Sequence, residues 1–479
     1  MSDFSFSRRR DGNYQVDSYE GASPVVHIPS EYEGKPVTAI ADNAFSWLYQ
    51  IRKVFIPDSV TVIGEAAFSW CESLAEIEIP ETVKVIGEWA FIGCSSLKEI
   101  RLPSGLKRIN YSTFQSCISL MAVDIPDTVR LIGPEAFSEC KSLSSVRLPD
   151  HIATIGDNAF SGCEALKETN IPLSLTELGN NVFSGCVSLS AVTVPPEHAV
   201  FRNLDGILVN RKEKRLIFFP FEKKMKSISL PDGIEIIAEE AFANRNYIEE
   251  IVLPDTVRII ESKAFYGCRG LKRINLPDTL QSIGSSAFHS CSRLEHISLP
   301  AGLACIEYSV FYACNALQSV RFPEKLRLIA PCAFSGCSSL ESVALPGELF
   351  DIGDSAFEGC RSIESLVLPD SLETVGSHAF GSCVMLDSVQ LSKNMRLIPP
   401  YAFSRCENLN RVTIPEGIEE IKSEAFGSCE NLMTLEIPAS VTEIDPDAFE
   451  NCRHIMLFVY PDSYAMNYAK DRGFLYSEL

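Results

Sequence analysis

The stretch that decides the fold runs from Leu271 to Arg293 and reads LKRINLPDTLQSIGSSAFHSCSR. The same pattern returns every 23 residues with almost no drift, and it is interrupted once, by a step of 59 residues. Seventeen copies are marked by their phenylalanines: Phe45, Phe68, Phe91, Phe114, Phe137, Phe160, Phe183, Phe242, Phe265, Phe288, Phe311, Phe334, Phe357, Phe380, Phe403, Phe426 and Phe449. A fixed period of this length indicates a repeat solenoid, in which each unit buries its apolar face against its neighbours.

Each 23-residue unit contains a short strand, a turn and a bend. The apolar residues of Leu271–Leu276 have the spacing of a short strand that faces a core, and Pro277 ends it because proline cannot donate to a ladder. Leu280 and Ile283 supply a second inward pair. We expect a short helical turn over Phe288–Cys291, which returns the chain to the next strand.

These features predict a mainly β repeat solenoid with a parallel sheet face, short helical turns and capped ends. The predicted organisation is an N-terminal cap (1–36), a first repeat array (37–194), an irregular insertion with a β-hairpin (195–229), a second array (230–457) and a C-terminal cap (458–479). In the first cap, Asn13–Gly21 and Val25–Ile28 are expected to form a hairpin. In the last cap, a strand at Phe458–Pro461 is followed by a helix over Ser463–Asp471, with Tyr464, Tyr468 and Ala469 on one side.

The charge balance narrows the class of partner. The chain has 42 Lys and Arg against 63 Asp and Glu, a formal net charge of −21. Nucleic acid and an anionic membrane surface are therefore unfavourable partners. The longest apolar runs, Leu216–Phe219 and Ile455–Tyr460, fall far below the roughly 18 residues of a membrane span. The N-terminal segment lacks the apolar core of a signal peptide, which predicts a cytoplasmic protein that does not insert into membranes.

The repeat resembles that of the BspA-like leucine-rich repeat proteins. The pattern I-P-x-x-V-x-x-I-G-x-x-A-F-x-x-C occurs at Ile56–Cys71 and Ile79–Cys94, and related units cover nearly the whole chain. The resemblance implies a right-handed leucine-rich repeat superhelix that acts as a non-enzymatic protein-binding scaffold. It also implies an alternative, a protein exported to the cell surface or secreted that binds host or extracellular-matrix proteins as an adhesin.

The insertion between the two arrays is the first candidate binding site. Two apolar runs, Phe201–Asn210 and Arg215–Pro220, are joined by the polar turn 211–214, which predicts a β-hairpin. Its charge opposes that of the chain, because eight basic residues face only Asp205, Glu213 and Glu222. The basic residues are Arg202, Arg211, Lys212, Lys214, Arg215, Lys223, Lys224 and Lys226. Two interpretations stay open: an irregular coil that covers the core, and a partner-contact site centred on Arg211, Lys212, Lys214 and Arg215.

The three tryptophans are the second candidate. Trp47 and Trp70 share the position two residues after the repeat Phe, where most units have Gly, Ser or Asn, and Trp89 lies one unit further on. This placement predicts an exposed aromatic cluster of the kind enriched at protein interfaces. The alternative is that the three rings pack beneath the N-terminal segment as part of a cap.

Fifteen of the seventeen cysteines stand three residues after the repeat Phe, as Cys291 does. The pattern lacks paired C-x-x-C spacing, and one column of side chains keeps the Cβ atoms further apart than the roughly 3.8 Å of a disulfide. We therefore expect buried thiols that act as small hydrophobic groups, with no metal bound. Cys305 and Cys332 fall outside this column and are expected to be the accessible pair, which suits a reducing compartment.

Catalysis has no signature in this sequence. The seven histidines are scattered, and no zinc-protease, nucleophile-elbow, phosphate-loop or dinucleotide motif is present. The Pro-Asp corners provide one carboxylate per unit, which predicts solvated turns in preference to calcium sites. The sequence predicts no catalytic residues, no cofactor and a monomer whose partner is another protein.

Overall fold

The computed structural model describes residues 3–220 and 225–479. Contacts between residues divide the chain into two compact units, Met1–Lys223 and Lys224–Leu479. Each unit is a mainly β solenoid, as the 23-residue period predicts. Neighbouring coils pair in parallel with a register of one period, so that Lys53 lies opposite Glu76 and Val62 opposite Val85.

Each coil contains two strands. In the coil quoted above, Arg273–Ile274 forms the first strand, the N–H of Leu280 donates to the carbonyl of Pro277 (2.9 Å) in a turn, and Ser282–Ile283 forms the second. The first strand is confirmed. The second was foreseen only as an inward apolar pair, because two residues are too few to show a strand period along the sequence.

In the first unit, the row of strands that contains Lys53–Phe55 is called the sheet face. Its strands are Val25–His27, Lys53–Phe55, Glu76–Glu78, Glu99–Arg101, Ala122–Asp124, Glu168–Asn170 and Ala191–Thr193. The second row comprises Lys35–Ile40, Val62–Ile63, Val85–Ile86, Arg108–Ile109, Leu131–Ile132, Thr154–Ile155 and Glu177–Leu178. The remaining strands are Phe4–Arg8, Tyr14–Tyr19, Glu31–Tyr32, Phe201–Leu204, Ile207–Asn210 and Arg215–Phe218.

The second unit repeats the two rows. Its sheet face comprises Ser227–Ser229, Glu250–Val252, Arg273–Ile274, His296–Ser298, Ser319–Arg321, Ser365–Val367, Ser388–Gln390, Arg411–Thr413, Thr434–Ile437, Met456–Val459 and Leu475–Glu478. Its second row comprises Ile236–Ile237, Ile259–Ile260, Ser282–Ile283, Cys305–Ile306, Leu328–Ile329, Asp351–Ile352, Thr374–Val375, Leu397–Ile398, Glu420–Ile421 and Glu443–Ile444. The α-helix Tyr464–Arg472 lies near the C-terminus.

The segment around the repeat Phe contains no α-helix, and the expected helical turn takes the form of tight turns, such as the one closed by the hydrogen bond from the N–H of Cys291 to the carbonyl of Phe288 at 3.1 Å. The residues two before and two after the Phe have left-handed backbones, as in Ser286 (φ 57°) and Ser290 (φ 59°). The N–H groups of Ser286, Phe288 and Ser290 donate to carbonyls of the next coil at 2.9, 2.9 and 2.7 Å. Hydrogen bonds between coils therefore add to the short turn bonds within the segment.

The repeat phenylalanines form the core. Phe288 is fully buried, and its ring stacks between Phe265 (5.1 Å between centroids) and Phe311 (5.5 Å) with nearly parallel planes. The thiol of Cys291 lies behind this column and donates to the carbonyl of Phe265 at 3.2 Å. Within each unit, nearly every coil thus adds one aromatic ring and one thiol to the buried columns.

The terminal segments differ in detail from the prediction. The N-terminal hairpin pairs Phe4–Arg8 with Tyr14–Tyr19, whereas Val25–His27 joins the sheet face in parallel. The predicted hairpin contained the wrong strands because Phe4–Arg8 alternates serine with apolar and basic residues and lacks a clear apolar run.

At the C-terminus, the helix begins one residue later than predicted because Ser463 is its N-cap and accepts a hydrogen bond from the N–H of Met466 at 3.1 Å. The helix buries Tyr468 and Ala469 as expected. Tyr464, which we expected on the same side, is 44% exposed. A further strand, Leu475–Glu478, follows the helix and pairs in parallel with Met456–Val459.

Candidate binding surfaces

The sheet face of the second unit contains a shallow hollow across four consecutive strands, which we call the sheet-face hollow. Its volume is about 750 Å³. Its floor is the buried row that includes Ile251 and Ile297, and the exposed side chains above that floor include Val252 (43% exposed), Asn275 and Ser298. The charged residues of the hollow are Arg321 and an ion pair between the Arg273 Nε and the Glu250 carboxylate at 3.4 Å, and the His296 ring also lines it.

The sheet face of the first unit is charged. Glu78, Arg101 and Asp124 alternate in charge on successive strands, but no ion pair joins these three side chains in the part of the chain that the structure describes. Instead Arg101, whose side chain is 89% exposed, meets Glu81 at 3.7 Å, and Lys53 meets Glu78 at 3.6 Å. Exposed pairs contribute only about 0–1 kcal/mol, so these contacts add little to stability.

The insertion is a three-stranded antiparallel meander. Ile207–Asn210 pairs with Arg215–Phe218, as the predicted hairpin requires, and it also pairs with Phe201–Leu204. The first predicted run is therefore two strands, divided at Asp205 and Gly206, whose φ angles of 50° and 93° form a tight turn. The inward residues Phe201, Leu208 and Phe218 are buried in the core of the first unit.

Four predicted contact residues lie on or next to the 211–214 turn of this meander. Arg211 and Lys212 are exposed, and the Arg211 guanidinium donates to the carbonyl of Pro196 at 3.1 Å. The Arg215 guanidinium donates to Asn180 Oδ1 at 2.9 Å, and Lys214 has a left-handed backbone. Lys223, Lys224 and Glu222 lie outside the described residues. The turn thus presents basic side chains, of which Arg211 is hydrogen-bonded to the start of the insertion and Arg215 to the first array.

The tryptophans divide into a pair and a single residue. The rings of Trp47 and Trp70 stack at 5.3 Å with an angle of 9°, and Trp47 is 52% exposed. Trp89 has the offset two residues before its Phe and meets Tyr111 edge-on at 5.3 Å. None of the ring contacts found in the described chain joins these tryptophans to residues 3–40.

The Trp pair depends on a glycine in the next coil. All three tryptophans have left-handed backbones, which bulky residues adopt rarely. Gly93 stands two residues after its repeat Phe, as Trp47 and Trp70 do in the two preceding coils. A Cβ added at Gly93 would lie 2.4 Å from Cε3 of Trp70. The Trp70 ring therefore occupies the space of a side chain at that position.

The cysteines are all free thiols. The fifteen in the repeat column are buried, and burial raises the pKa of thiols such as Cys117 and Cys337 to about 12. Cys305 and Cys332 are partly exposed, so they are the more accessible pair. Burial nevertheless raises the pKa of Cys305 to about 12 and raises that of Cys332, because desolvation disfavours a thiolate.

A pocket that the sequence analysis missed lies in the second unit, and we call it the polar pocket. Its volume is about 250 Å³. The residues that carry its chemistry are Glu358, His378, Tyr401, Ser404, Arg405 and Glu424. They come from four successive coils, so no local motif in the sequence could show them together.

Within residues 3–220 and 225–479, no three His, Cys, Asp or Glu side chains are grouped to hold a metal ion. In the same ranges, no helix has the length and apolar character needed to cross a membrane.

The stacked parallel coils, the buried Phe column and the two rows of short strands define a leucine-rich repeat solenoid. The family model of the BspA type leucine rich repeat region matches residues 38–130, 108–203, 218–341 and 327–456. The chain belongs to this family.

Two solved structures illustrate the similarity. A leucine rich cell surface protein from Faecalibacterium prausnitzii is 26% identical over 86% of this chain and 93% of its own, with a TM-score of 0.57. A leucine-rich repeat protein from Bacteroides ovatus is 27% identical over 86% of this chain and 99% of its own, with a TM-score of 0.45. A search among curated protein sequences found no significant match.

Proposed function

We propose that this protein is a non-enzymatic scaffold that binds another protein, and that the sheet-face hollow is its main contact surface. The observation that carries the proposal is a recess over four strands in which small uncharged side chains stand beside arginines and a histidine. Family membership supports the same role, since leucine-rich repeat proteins are typically interaction scaffolds.

The basic turn 211–214 is the proposed second contact. Arg211 and Lys212 project from a chain of net charge −21, so they provide a local positive field that steers an acidic partner. The hydrogen bonds from Arg211 and Arg215 to Pro196 and Asn180 hold this edge in place, which reduces the entropy lost on association.

The sheet-face hollow is tested by charge insertion. The double variant Val252→Glu/Ser298→Glu should retain its fold and lose most of its binding, because both positions are exposed on the face. Affinity capture from the source cells, with quantification of each captured protein, compares this variant with the unmodified chain. Val187→Glu is the matched control, since Val187 is 48% exposed and lies away from both rows of strands. Equal capture by all three forms would refute the hollow as the contact surface.

The basic turn is tested by association kinetics with a captured partner. Reversal of Arg211, Lys212 and Lys214 to Glu should slow association at low ionic strength and have less effect as salt rises, because rim charges act mainly on the on-rate. Unchanged kinetics at low salt would remove this turn from the contact surface. The next comparison would replace Trp47, Trp70 and Trp89 with Ser.

We also propose that the protein acts inside the cell, because seventeen thiols with no disulfide suit a reducing compartment. A cell-surface adhesin is the second candidate, and it is favoured by the similarity to the cell surface protein of Faecalibacterium prausnitzii. Protease treatment of intact source cells distinguishes the two. Loss of the protein from intact cells would support the adhesin, and resistance until lysis would support the intracellular scaffold.

A further inference from the structure

The polar pocket lies on a surface that the proposed contacts do not use. It lies between two columns of residues, one on each side of the repeat Phe, whose backbones are left-handed. His378, Tyr401 and Glu424 belong to the column two residues before the Phe, and Ser382 and Arg405 belong to the column two residues after it. The residue immediately after the Phe stands between these columns, so its size decides whether a groove is open there.

Gly381 opens the groove. In three consecutive earlier coils of the second unit the equivalent residues are Tyr266, His289 and Tyr312, whose rings stack at 4.8 and 4.6 Å and fill it. Gly381 has no side chain, and the pocket lies above it. Gly427, a second glycine at this offset, accommodates the Glu424 side chain, since an added Cβ there would lie 2.9 Å from Glu424 Cβ.

The charged and aromatic side chains that line the pocket have hydrogen-bonding groups that no other described side chain engages. Among the hydrogen bonds and ion pairs of the described residues, none involves the side chains of Glu358, His378, Tyr401, Arg405 or Glu424. In other coils, charged residues of the same columns do form ion pairs. Glu139 meets Lys141 at 3.5 Å, and Glu240 meets Lys263 at 3.4 Å. The pocket therefore gathers acceptors and donors that remain available to a ligand.

The arrangement of these groups defines the chemistry of that ligand. The His378 and Tyr401 rings stack at 4.4 Å with an angle of 2°, so each covers a face of the other and their electropositive edges remain available. Together with the Arg405 guanidinium and the Ser382 and Ser404 hydroxyls, they suit a carboxylate.

The carboxylates of Glu358 and Glu424 come from the coils on either side and suit an ammonium group. The volume of about 250 Å³ is below the roughly 300–1,000 Å³ of pockets for drug-sized ligands. We propose that the polar pocket binds a small zwitterion of the α-amino acid class, with its carboxylate at Arg405 and its ammonium at a glutamate. This proposal does not rest on the proposed scaffold function.

Calorimetric titration of the full chain tests the proposal with free glycine, alanine, lysine and glutamate as probes. Acetate and ethylammonium are the matched half-ligands, because each carries only one of the two charges. We expect at least one amino acid to bind with a Kd below about 1 mM and about tenfold or more tightly than either half-ligand. Absence of binding by all four amino acids, or equal binding of acetate, would overturn the proposal.

Two variants test whether the observed binding takes place in the pocket. Each introduces a residue type that already stands at the equivalent position of another coil, so each is compatible with the fold. Gly381→Tyr should abolish binding because it fills the groove, as Tyr266 and Tyr312 do. Arg405→Ser should weaken binding about tenfold, and Ser382 and Ser428 already occupy this offset. Glu139→Ser is the matched control at the same offset in the first unit. Thermal midpoints would verify that all variants fold, and binding that survives Gly381→Tyr in a folded chain would contradict the assignment.

Discussion

At the scale of the residue, one position in each repeat supplies the largest side chain of the core. The repeat Phe is buried in every coil, and its ring stacks on those of the neighbouring coils within each unit. The small Ala or Val before it and the Cys three residues after it complete the interior. Because identical offsets meet in space, the loss of one side chain is felt by two neighbouring coils as well as its own.

Phe288→Ala should destabilise the second unit by about 3–5 kcal/mol, because it leaves a cavity between the rings of Phe265 and Phe311. Phe350→Ala is the control: Phe350 is 42% exposed, so its removal should cost far less. Chemical denaturation of both variants gives the comparison. A loss below about 1 kcal/mol for Phe288→Ala would contradict the role of the Phe column.

Thiol reactivity should separate the two classes of cysteine. We expect native protein at neutral pH to label only at Cys305 and Cys332, and slowly, because only the thiolate reacts and their raised pKa values favour the thiol. Their labelling should accelerate as pH rises, since the thiolate fraction grows toward a pKa of about 12 at Cys305. Mass spectrometry counts the labelled sites. Rapid native labelling of most of the fifteen column cysteines would show that the column is accessible.

At the scale of the element, the coil is a pair of short strands held by its neighbours. The strands of the second row have two residues in nearly every coil, too few to be stable alone, and hydrogen bonds to adjacent coils fix them. Side chains on the sheet face then meet across strands. Glu249 lies between Lys226 (2.8 Å) and Lys272 (2.9 Å), which belong to the preceding and the following coil.

This triad predicts a pH dependence. Hydrogen bonds from Lys226 and Lys272 lower the pKa of Glu249 to about 2. A lowered folded pKa contributes stability that is fully present above the unfolded pKa of about 4.3 and is lost as pH falls toward 2. The difference in unfolding free energy between the unmodified chain and Glu249→Gln should therefore be largest near neutral pH and shrink below about pH 4.3.

Urea denaturation across this pH range measures the difference without adding salt, which would screen the triad. Glu341→Gln is the matched control, because Glu341 occupies the same offset and has no ion pair with any described residue. A difference between the unmodified chain and Glu249→Gln that stays constant from neutral to acidic pH would rule out the triad as its cause.

At the scale of the whole molecule, charge is the property that sets which partners can approach. The net charge of −21 repels polyanions, whereas the basic turn 211–214 is a local exception. We expect no binding to duplex DNA at physiological salt of about 0.15 M, measured by fluorescence anisotropy with a labelled duplex. The charge-reversed turn provides the control. Binding that weakens steeply with salt and is lost on charge reversal would show that the turn overrides the net charge.

The sequence by itself determined the repeat, the parallel solenoid, the buried Phe and Cys columns and the insertion, because a strict period places equal offsets in contact. The second row of strands, the left-handed turns and the composition of the N-terminal hairpin were decided by hydrogen bonds between coils, which have no local signature. The stacking of Trp47 on Trp70 followed from their shared offset, whereas the pairing of Trp89 with Tyr111 required the tertiary structure. The polar pocket was likewise beyond the sequence, because it arises where the missing side chain of Gly381 leaves space among residues of four coils.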